Sequence, residues 1–368
     1  MQEIICDSEY KKLKDYFLKK QYKNVFFVRG KSSEDFEIYK FIKTFFEHNN
    51  IKYKSFMRYE SNPQYESILD GVDSFNSESF DLIIALGGGS AIDVAKCIKI
   101  FANADINKNI FSQNGKESIV ELMAIPTTAG TGSEVTDFAV VYYNGEKKSV
   151  ENIKCKPDTV ILDYKVLSSL PMYQRKATML DALSHAIEAA WSINSTEESI
   201  MYSEQAIKLI VENKEAYLNN SDIGNKNMLR AANTAGKAIN IAKTTAAHAM
   251  SYKLTNMYGV PHGYAVAMCL RELIPYMSER LNKCIDMRGE EYLKKIFIVL
   301  NLDMQCKLTN LSNSYDEFIS DIEFPNIKIK KEDIEILVDS VNIERLKNNP
   351  IPLKKDEIKY LYNKILGD

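Results

Sequence analysis

Apolar and polar positions along this chain follow two rhythms, one before about residue 165 and one after it. In the first part, short apolar runs alternate with stretches of helical period. Val25-Phe26-Phe27-Val28 ends at Arg29-Gly30, and a helix is expected over about 33–47. Tyr53 to Met57 reads as the next strand, and Pro63 opens a helix to about Phe75. Asp81 to Leu86 is a continuous apolar run ended by three glycines, followed by a helix from Ala91 to Phe101. Glu121 to Ile125, Phe138 to Tyr143 and Thr159 to Leu162 are further strand candidates. Such alternation predicts a parallel sheet with helices on both faces.

Beyond Pro171 the period is helical almost throughout, over roughly 173–194, 197–218, 224–256, 263–281, 289–300, 331–341 and 354–365. The expected organisation is an α/β domain over 1–165 and an all-helical domain over 166–368. No repeat or low-complexity linker separates them, so direct packing is expected, with a cleft between them as the natural place for a site.

Composition changes this picture little. The 368 residues are 45% hydrophobic and 26% charged, with a net charge of −3. Mixed charge of this kind does not point to nucleic acid or an anionic membrane as a partner. No stretch approaches the roughly 20 apolar residues of a membrane span, and the amino terminus lacks a signal-peptide pattern. The six cysteines are scattered, without a C-x-x-C pair, which fits reduced thiols in the cytoplasm.

Two loops carry candidate chemistry for phosphate and ribose. Gly87-Gly88-Gly89-Ser90 follows the buried strand and opens a helix. Glycine lets the backbone approach a pyrophosphate, and the free N–H groups of a helix start attract the anion. The run does not match G-x-G-x-x-G. The second loop, Thr127 to Glu134, brings three threonines, Ser133 and two glycines directly after a strand. Ligands of open α/β sheets bind at such strand ends.

The chain has four histidines. Asp181 and His185 lie four apart, on one face of a helix. His248 lies in a helical run, and His262 follows Val260-Pro261. One carboxylate and three imidazoles suit Fe²⁺ or Zn²⁺ with a position left for substrate oxygen. The plain alternatives are an exposed polar pair at Asp181 and His185, a satisfied core histidine at His248 and a helix cap at His262. His48, beside Asn49 and Asn50, reads as a surface residue.

GGGSAIDVAK (87–96), AIPTTAGTGSEVT (124–136), DALSHAIEA (181–189) and GVPHG (259–263) together resemble the iron-containing (group III) alcohol dehydrogenases in order and spacing. The resemblance runs from about Val25 to about Pro275. It implies the dehydroquinate-synthase-like fold, with a dinucleotide-binding α/β domain and a helical metal-binding domain. Carried over by position, the metal ligands are Asp181, His185, His248 and His262. The cofactor residues are Gly87, Gly88, Gly89, Ser90, Asp93, Thr127, Thr128, Thr131, Ser133, Lys147 and Asn62, with Asp93 near the nicotinamide and catalytic.

Three departures refine the expectation. Where many NAD-using members carry an aspartate, this chain has Gly30, then Lys31 and Ser32. That favours NADP(H) over NAD(H), with Arg29 or Lys31 free to pair with a 2′-phosphate. Tyr252 stands where many members have a proton-relaying histidine, and is the candidate proton donor. Lys243, taken to lie on the helix of His248, is similar to the branch of phosphonoacetaldehyde reductases and a 3-deoxy-octulosonate 8-oxidase. Its position suggests an anionic substrate tail. The expected activity is hydride transfer between a nicotinamide and a small aldehyde or alcohol, in a homodimer or larger oligomer. The rival is a dehydroquinate-synthase-like lyase.

Overall fold

The computed structural model describes residues 2–302, 310–327 and 330–366. The chain forms two compact units, Met1–Leu170 and Pro171–Asp368. Cys306 lies outside the described residues, and the five other cysteines are free.

In the first unit the strands are β1 (Glu3–Cys6), β2 (Asn24–Arg29), β3 (Lys52–Phe56), β4 (Leu82–Gly87), β5 (Glu121–Pro126), β6 (Phe138–Tyr143), β7 (Glu146–Glu151) and β8 (Thr159–Leu162). The helices are α1 (Lys11–Lys20), α2 (Glu37–His48), α3 (Tyr65–Asn76) and α4 (Gly89–Phe101). Six strands form one parallel sheet in the order β1-β8-β5-β4-β2-β3. Phe26 and Val28 pack in a core with Ile68, Val72 and Phe75 of α3 and Ile92 of α4. Phe27, between them in sequence, meets Tyr39 of α2 with ring centroids 5.6 Å apart. Both faces of β2 are therefore covered, which is why its sequence reads as an unbroken apolar run.

The chain leaves β2 for the edge strand β3, then returns to the other side of β2 to form β4 and proceeds to β5. The order reverses at the β2–β4 pair, so a switch point opens beyond the carboxyl ends of these two strands. Phe138–Tyr143 departs from expectation. It forms an antiparallel hairpin with β7, apart from the main sheet. Asn144 and Gly145, both with positive φ, make the two-residue turn that closes it.

The second unit is helical: α5 (Met172–Trp191), α6 (Glu197–Leu218), α7 (Asp222–Ala242), α8 (Ala246–Tyr258), α9 (His262–Ser278), α10 (Glu290–Val299), α11 (Leu311–Ile319), α12 (Ile334–Asp339), α13 (Ile343–Leu346) and α14 (Lys355–Leu366). Every residue from Met179 to Trp191 of α5 is buried. A charged group on such a helix must be paired or coordinated, because burying it alone is costly. Among the described residues, no helix is long and apolar enough to cross a membrane.

The helix expected over 224–256 is broken. Lys243 ends α7 with φ 61° and ψ 174°, a backbone region that residues with a side chain rarely occupy. The N–H groups of Thr245 and Ala247 turn to the carboxylate of Glu188 instead of continuing the helix, and α8 starts there. Lys243 is therefore not on the helix of His248, as the sequence pattern suggested.

Candidate functional site

The second unit gathers four candidate ligands from three helices. Asp181 and His185 stand one turn apart on α5, His248 is in the first turn of α8, and His262 begins α9. The Nε2 atoms of His185, His248 and His262 lie 3.9, 3.6 and 3.9 Å from Asp181 Oδ1. The ligand atoms of Asp181, His248 and His262 all fall within 4.8 Å of one another. Asp181, His185 and His248 are buried, whereas the His262 side chain is 31% exposed, so this histidine marks the open side.

The exposed-pair reading of Asp181 and His185 does not hold, since both lie in the core of the unit. Burial alone raises the Asp181 carboxyl, but the imidazoles around it, His185 foremost, hold it below the usual carboxylate range. Asp181 Oδ1 and His248 Nε2 are buried without a hydrogen-bond partner among the described residues. Orphaned polar atoms of this kind are rare and costly in a folded core. A divalent ion would satisfy both, and the carboxylate-plus-imidazole donor set suits iron or zinc.

A glycine lets His262 approach. A Cβ on Gly263 would collide with the carbonyl oxygen of Ala177 and lie 3.0 Å from the backbone nitrogen of Asp181. The first turn of α9 thus rests directly on α5 beside the carboxylate, which explains the glycine in GVPHG.

Glu188, one turn beyond His185 on α5, was not singled out from the sequence. It is fully buried, and its Oε1 accepts from Thr245 N (3.1 Å), Thr245 Oγ1 (2.7 Å), Ala247 N (2.9 Å) and His248 N (3.3 Å). Its Oε2 bonds His248 Nδ1. The carboxylate thus satisfies the free amides at the start of α8. Accepting from Nδ1–H, it leaves the Nε2 lone pair of His248 facing Asp181. The spacing of Asp181, His185 and Glu188, at i, i+4 and i+7, was the available signal.

Tyr252, one turn after His248, stacks on His262 with centroids 5.5 Å apart and planes at 13°. Burial raises its hydroxyl against a lowering by Arg345, so it keeps its proton near neutrality. Lys243 sits in the connection between α7 and α8.

In the first unit, the two expected cofactor loops meet. Gly87 ends β4 and Gly88 caps α4. A Cβ on Gly88 would lie 3.3 Å from Thr128 Oγ1, and one on Gly89 would lie 2.9 Å from Thr131 Oγ1. Thr127 N donates to Gly87 O (3.0 Å). Asn62, in a left-handed conformation, donates its N–H to Ser90 Oγ (3.3 Å).

Asp93 of α4 ties the loops together. It accepts from Ser133 Oγ and from Val140 N (3.0 Å), and Lys96 Nζ lies 3.8 Å away. Burial raises the Asp93 carboxyl, against the pull of Lys96, Ser133, Val140 and, last, the charge of Lys147 on β7. Lys96 also escaped the sequence reading. It is fully buried and donates to Thr136 Oγ1 (2.8 Å) and Phe138 O (2.7 Å).

Gly30 follows β2, next to the glycine loop, its N–H reaching Leu86 O (3.4 Å). Lys31 and Ser32 are exposed. Arg29 is not available for a phosphate. It is buried, donates to Ser55 Oγ (3.1 Å) and Ser33 Oγ (3.3 Å), and pairs with Glu34 (2.8 Å). His48 is exposed at the end of α2.

Residues 2–164 match the family described as iron-containing alcohol dehydrogenase, and residues 176–366 match the C-terminal part of the same family. The chain is 28% identical to phosphonoacetaldehyde reductase of Streptomyces viridochromogenes, over 78% of this chain and 76% of that protein. It is 30% identical to 4-hydroxybutyrate dehydrogenase of Clostridium kluyveri, over 82% and 83%. Against aldehyde-alcohol dehydrogenase 2 of Entamoeba histolytica it is 32% identical over 64% of this chain, but the match spans only 29% of that longer protein. Among solved structures, an iron-containing alcohol dehydrogenase of Thermotoga maritima superposes with a TM-score of 0.85 at 26% identity, covering 100% of this chain and 98% of the other. Sulfoacetaldehyde reductase of Bifidobacterium kashiwanohense, solved with NAD⁺, shares the fold at 24% identity and a TM-score of 0.83, covering 99% and 97%. The chain belongs to the iron-containing alcohol dehydrogenase family.

Proposed function

We propose that this protein is a divalent-metal-dependent, nicotinamide-linked reductase of short aldehydes, working reversibly on the corresponding alcohols. The observation that carries the reading is the buried Asp181 oxygen facing three imidazole nitrogens, with His248 Nε2 also left without a hydrogen-bond partner. Asp181, His185, His248 and His262 would hold the ion, and Glu188 would orient His248 towards it. When bound, the ion supplies Lewis acidity to a carbonyl oxygen and the reduced nicotinamide supplies the hydride.

The chain's own residues do the rest. Gly87, Gly88, Gly89 and Ser90 present backbone donors at the start of α4 for a pyrophosphate. Thr127, Thr128, Thr131 and Ser133 offer hydroxyls for phosphate and ribose oxygens. Asn62, whose N–H meets Ser90, and Lys147 of β7 are the further cofactor residues of this reading. Asp93 sets the position of Ser133, a positioning role compatible with its place near the nicotinamide. Tyr252, which burial keeps protonated, is the donor of the proton that completes the alcohol.

Two finer points belong to the same reading. With Arg29 paired to Glu34, a preference for NADP(H) rests on Lys31 and Ser32, in a place where no aspartate repels a 2′-phosphate. The substrate class is an aldehyde with an anionic tail. The acids and anions named in phosphonoacetaldehyde reductase, 4-hydroxybutyrate dehydrogenase and sulfoacetaldehyde reductase support it, and Lys243 is a candidate cation. We place the protein in the cytoplasm as a homo-oligomer.

The test is NADPH and NADH oxidation by anaerobically purified protein with a panel of aldehydes, before and after chelation. Activity should vanish with the metal and return with Fe²⁺ or Zn²⁺. Full turnover by protein shown to be metal-free would overturn the reading. Consumption of substrate without net cofactor turnover would favour a lyase.

A further inference from the structure

Arg345 carries a charge that no carboxylate among the described residues answers. It lies on the short helix α13, half-buried, in the carboxyl-terminal tail of the helical unit. One guanidinium nitrogen donates to Thr244 Oγ1 (3.2 Å), and its carbon lies 5.2 Å from the centroid of the Tyr252 ring. No carboxylate of the described residues lies within 4.0 Å of it. A guanidinium has five N–H donors, and a hydroxyl and an aromatic face are both neutral partners. Most of its capacity for a planar, two-pronged anion contact is therefore left over.

Its neighbours show where it stands. The Tyr252 ring under Arg345 is the same ring that stacks on His262, the most exposed of the three cluster histidines. Thr244, its hydroxyl partner, directly precedes Thr245, which is bonded to Glu188. The guanidinium thus stands two stacking distances from the ring of the most exposed candidate ligand.

Charge counting gives the sign of what belongs there. Asp181 and Glu188 together cancel a divalent ion. The charge of Arg345 then remains over, beside a centre whose own charges balance. Such a half-desolvated cation is unfavourable unless an anion joins it.

We propose that Arg345 is the anion-recognition residue of this site, binding the phosphonate, sulfonate or carboxylate end of a short substrate whose oxygen faces the histidine cluster. The assignment rests on the aldehyde-reductase reading for the identity of the reacting group. It moves the main anion contact from Lys243, which the sequence suggested, to a residue in a tail that carried no motif. Holding one end of a short molecule also orients the other, so the contact acts on rate as well as affinity.

The test uses the metal-loaded full chain and titrates 2-hydroxyethylphosphonate by calorimetry. Arg345→Met should raise its Kd at least tenfold, and Arg345→Lys should give a smaller rise, because the charge survives while the fork is lost. Melting curves of both variants report folding, and if the methionine variant does not fold, the lysine variant alone decides. In parallel, the kcat/KM ratio of phosphonoacetaldehyde to propanal should fall at least tenfold in Arg345→Met. An unchanged Kd in a folded variant overturns the proposal, as does a wild type that does not bind the phosphonate. Aldehyde turnover with an unchanged Kd sinks Arg345 alone. Phosphonate binding that depends on Arg345, without turnover of any aldehyde, sinks the proposed reaction and leaves Arg345 standing.

Discussion

The two units build their candidate sites in opposite ways. The first uses backbone and small hydroxyls at the ends of parallel strands, and each contributing stretch is contiguous: 87–90 and 127–133. The second uses ionisable side chains from three helices, with Asp181 and His262 separated by many residues and brought within 3.9 Å of one another. A site made of backbone donors shares its affinity among many weak contacts, so single changes there should act by degrees. A buried cluster of charges is all-or-none, because removing one member strands the others without water.

The largest effect should therefore come from the second unit. His262→Ala should lose most bound metal and lower turnover by more than about a hundredfold, since loss of even an outer partner typically costs 10–100-fold. Circular dichroism should show the fold retained. Full metal occupancy with near-normal turnover in this variant would break the contrast at its strongest point.

Glu188→Gln should come next. The glutamine oxygen can still accept from the amides of Thr245 and Ala247, but its NH₂ cannot accept from His248 Nδ1. The ring is then driven to the tautomer with hydrogen on Nε2, and metal affinity should fall about 10–100-fold. Competition with a coloured chelator measures this directly. Unchanged affinity would reduce Glu188 to a helix-start partner.

In the first unit, Gly89→Ala places a Cβ 2.9 Å from Thr131 Oγ1, so the threonine loop must give way. The Michaelis constant for the dinucleotide should rise about tenfold, equivalent to roughly 1.4 kcal/mol. Metal content should stay constant, and a loss of metal would show that the two sites are not separable in this way.

The narrowest effect, confined to one of the two cofactors, sharpens cofactor choice. The nearest atom to a Cβ on Gly30 is Ser32 Oγ at 4.0 Å, so an aspartate fits there. Gly30→Asp should raise the Michaelis constant for NADPH about tenfold and leave NADH unchanged or improved, because a carboxylate repels the 2′-phosphate. A wild type that already prefers NADH by a wide margin would remove the premise.

Legibility differed along the same line. Six runs from Val25 to Leu162 were readable as strands. Those forming β2, β4, β5 and β8 owe it to burial, which imposes apolar sequence, whereas Tyr53–Met57 and Phe138–Tyr143 fall on partly exposed strands. β1 and β7 were not readable, since Glu3–Cys6 and Glu146–Glu151 carry charges on exposed edges. The break at Lys243 was also hidden. Nothing local forbids a helix through KTTAAH, and it is the Glu188 carboxylate, from another helix, that takes the amides which would have continued it.

By itself, the sequence determined the α/β-then-helical order and the glycine and threonine loops, because these depend on local period and short-range chemistry, while the four candidate ligands became a set only through the family resemblance. Only the tertiary structure decided which polar residues are buried partners. It set Glu188 behind His248, Glu34 on Arg29 and Arg345 over Tyr252. Each of these is an interaction between charges or rings on different elements. Its strength is set by distance and desolvation, and neither quantity exists until the chain has folded.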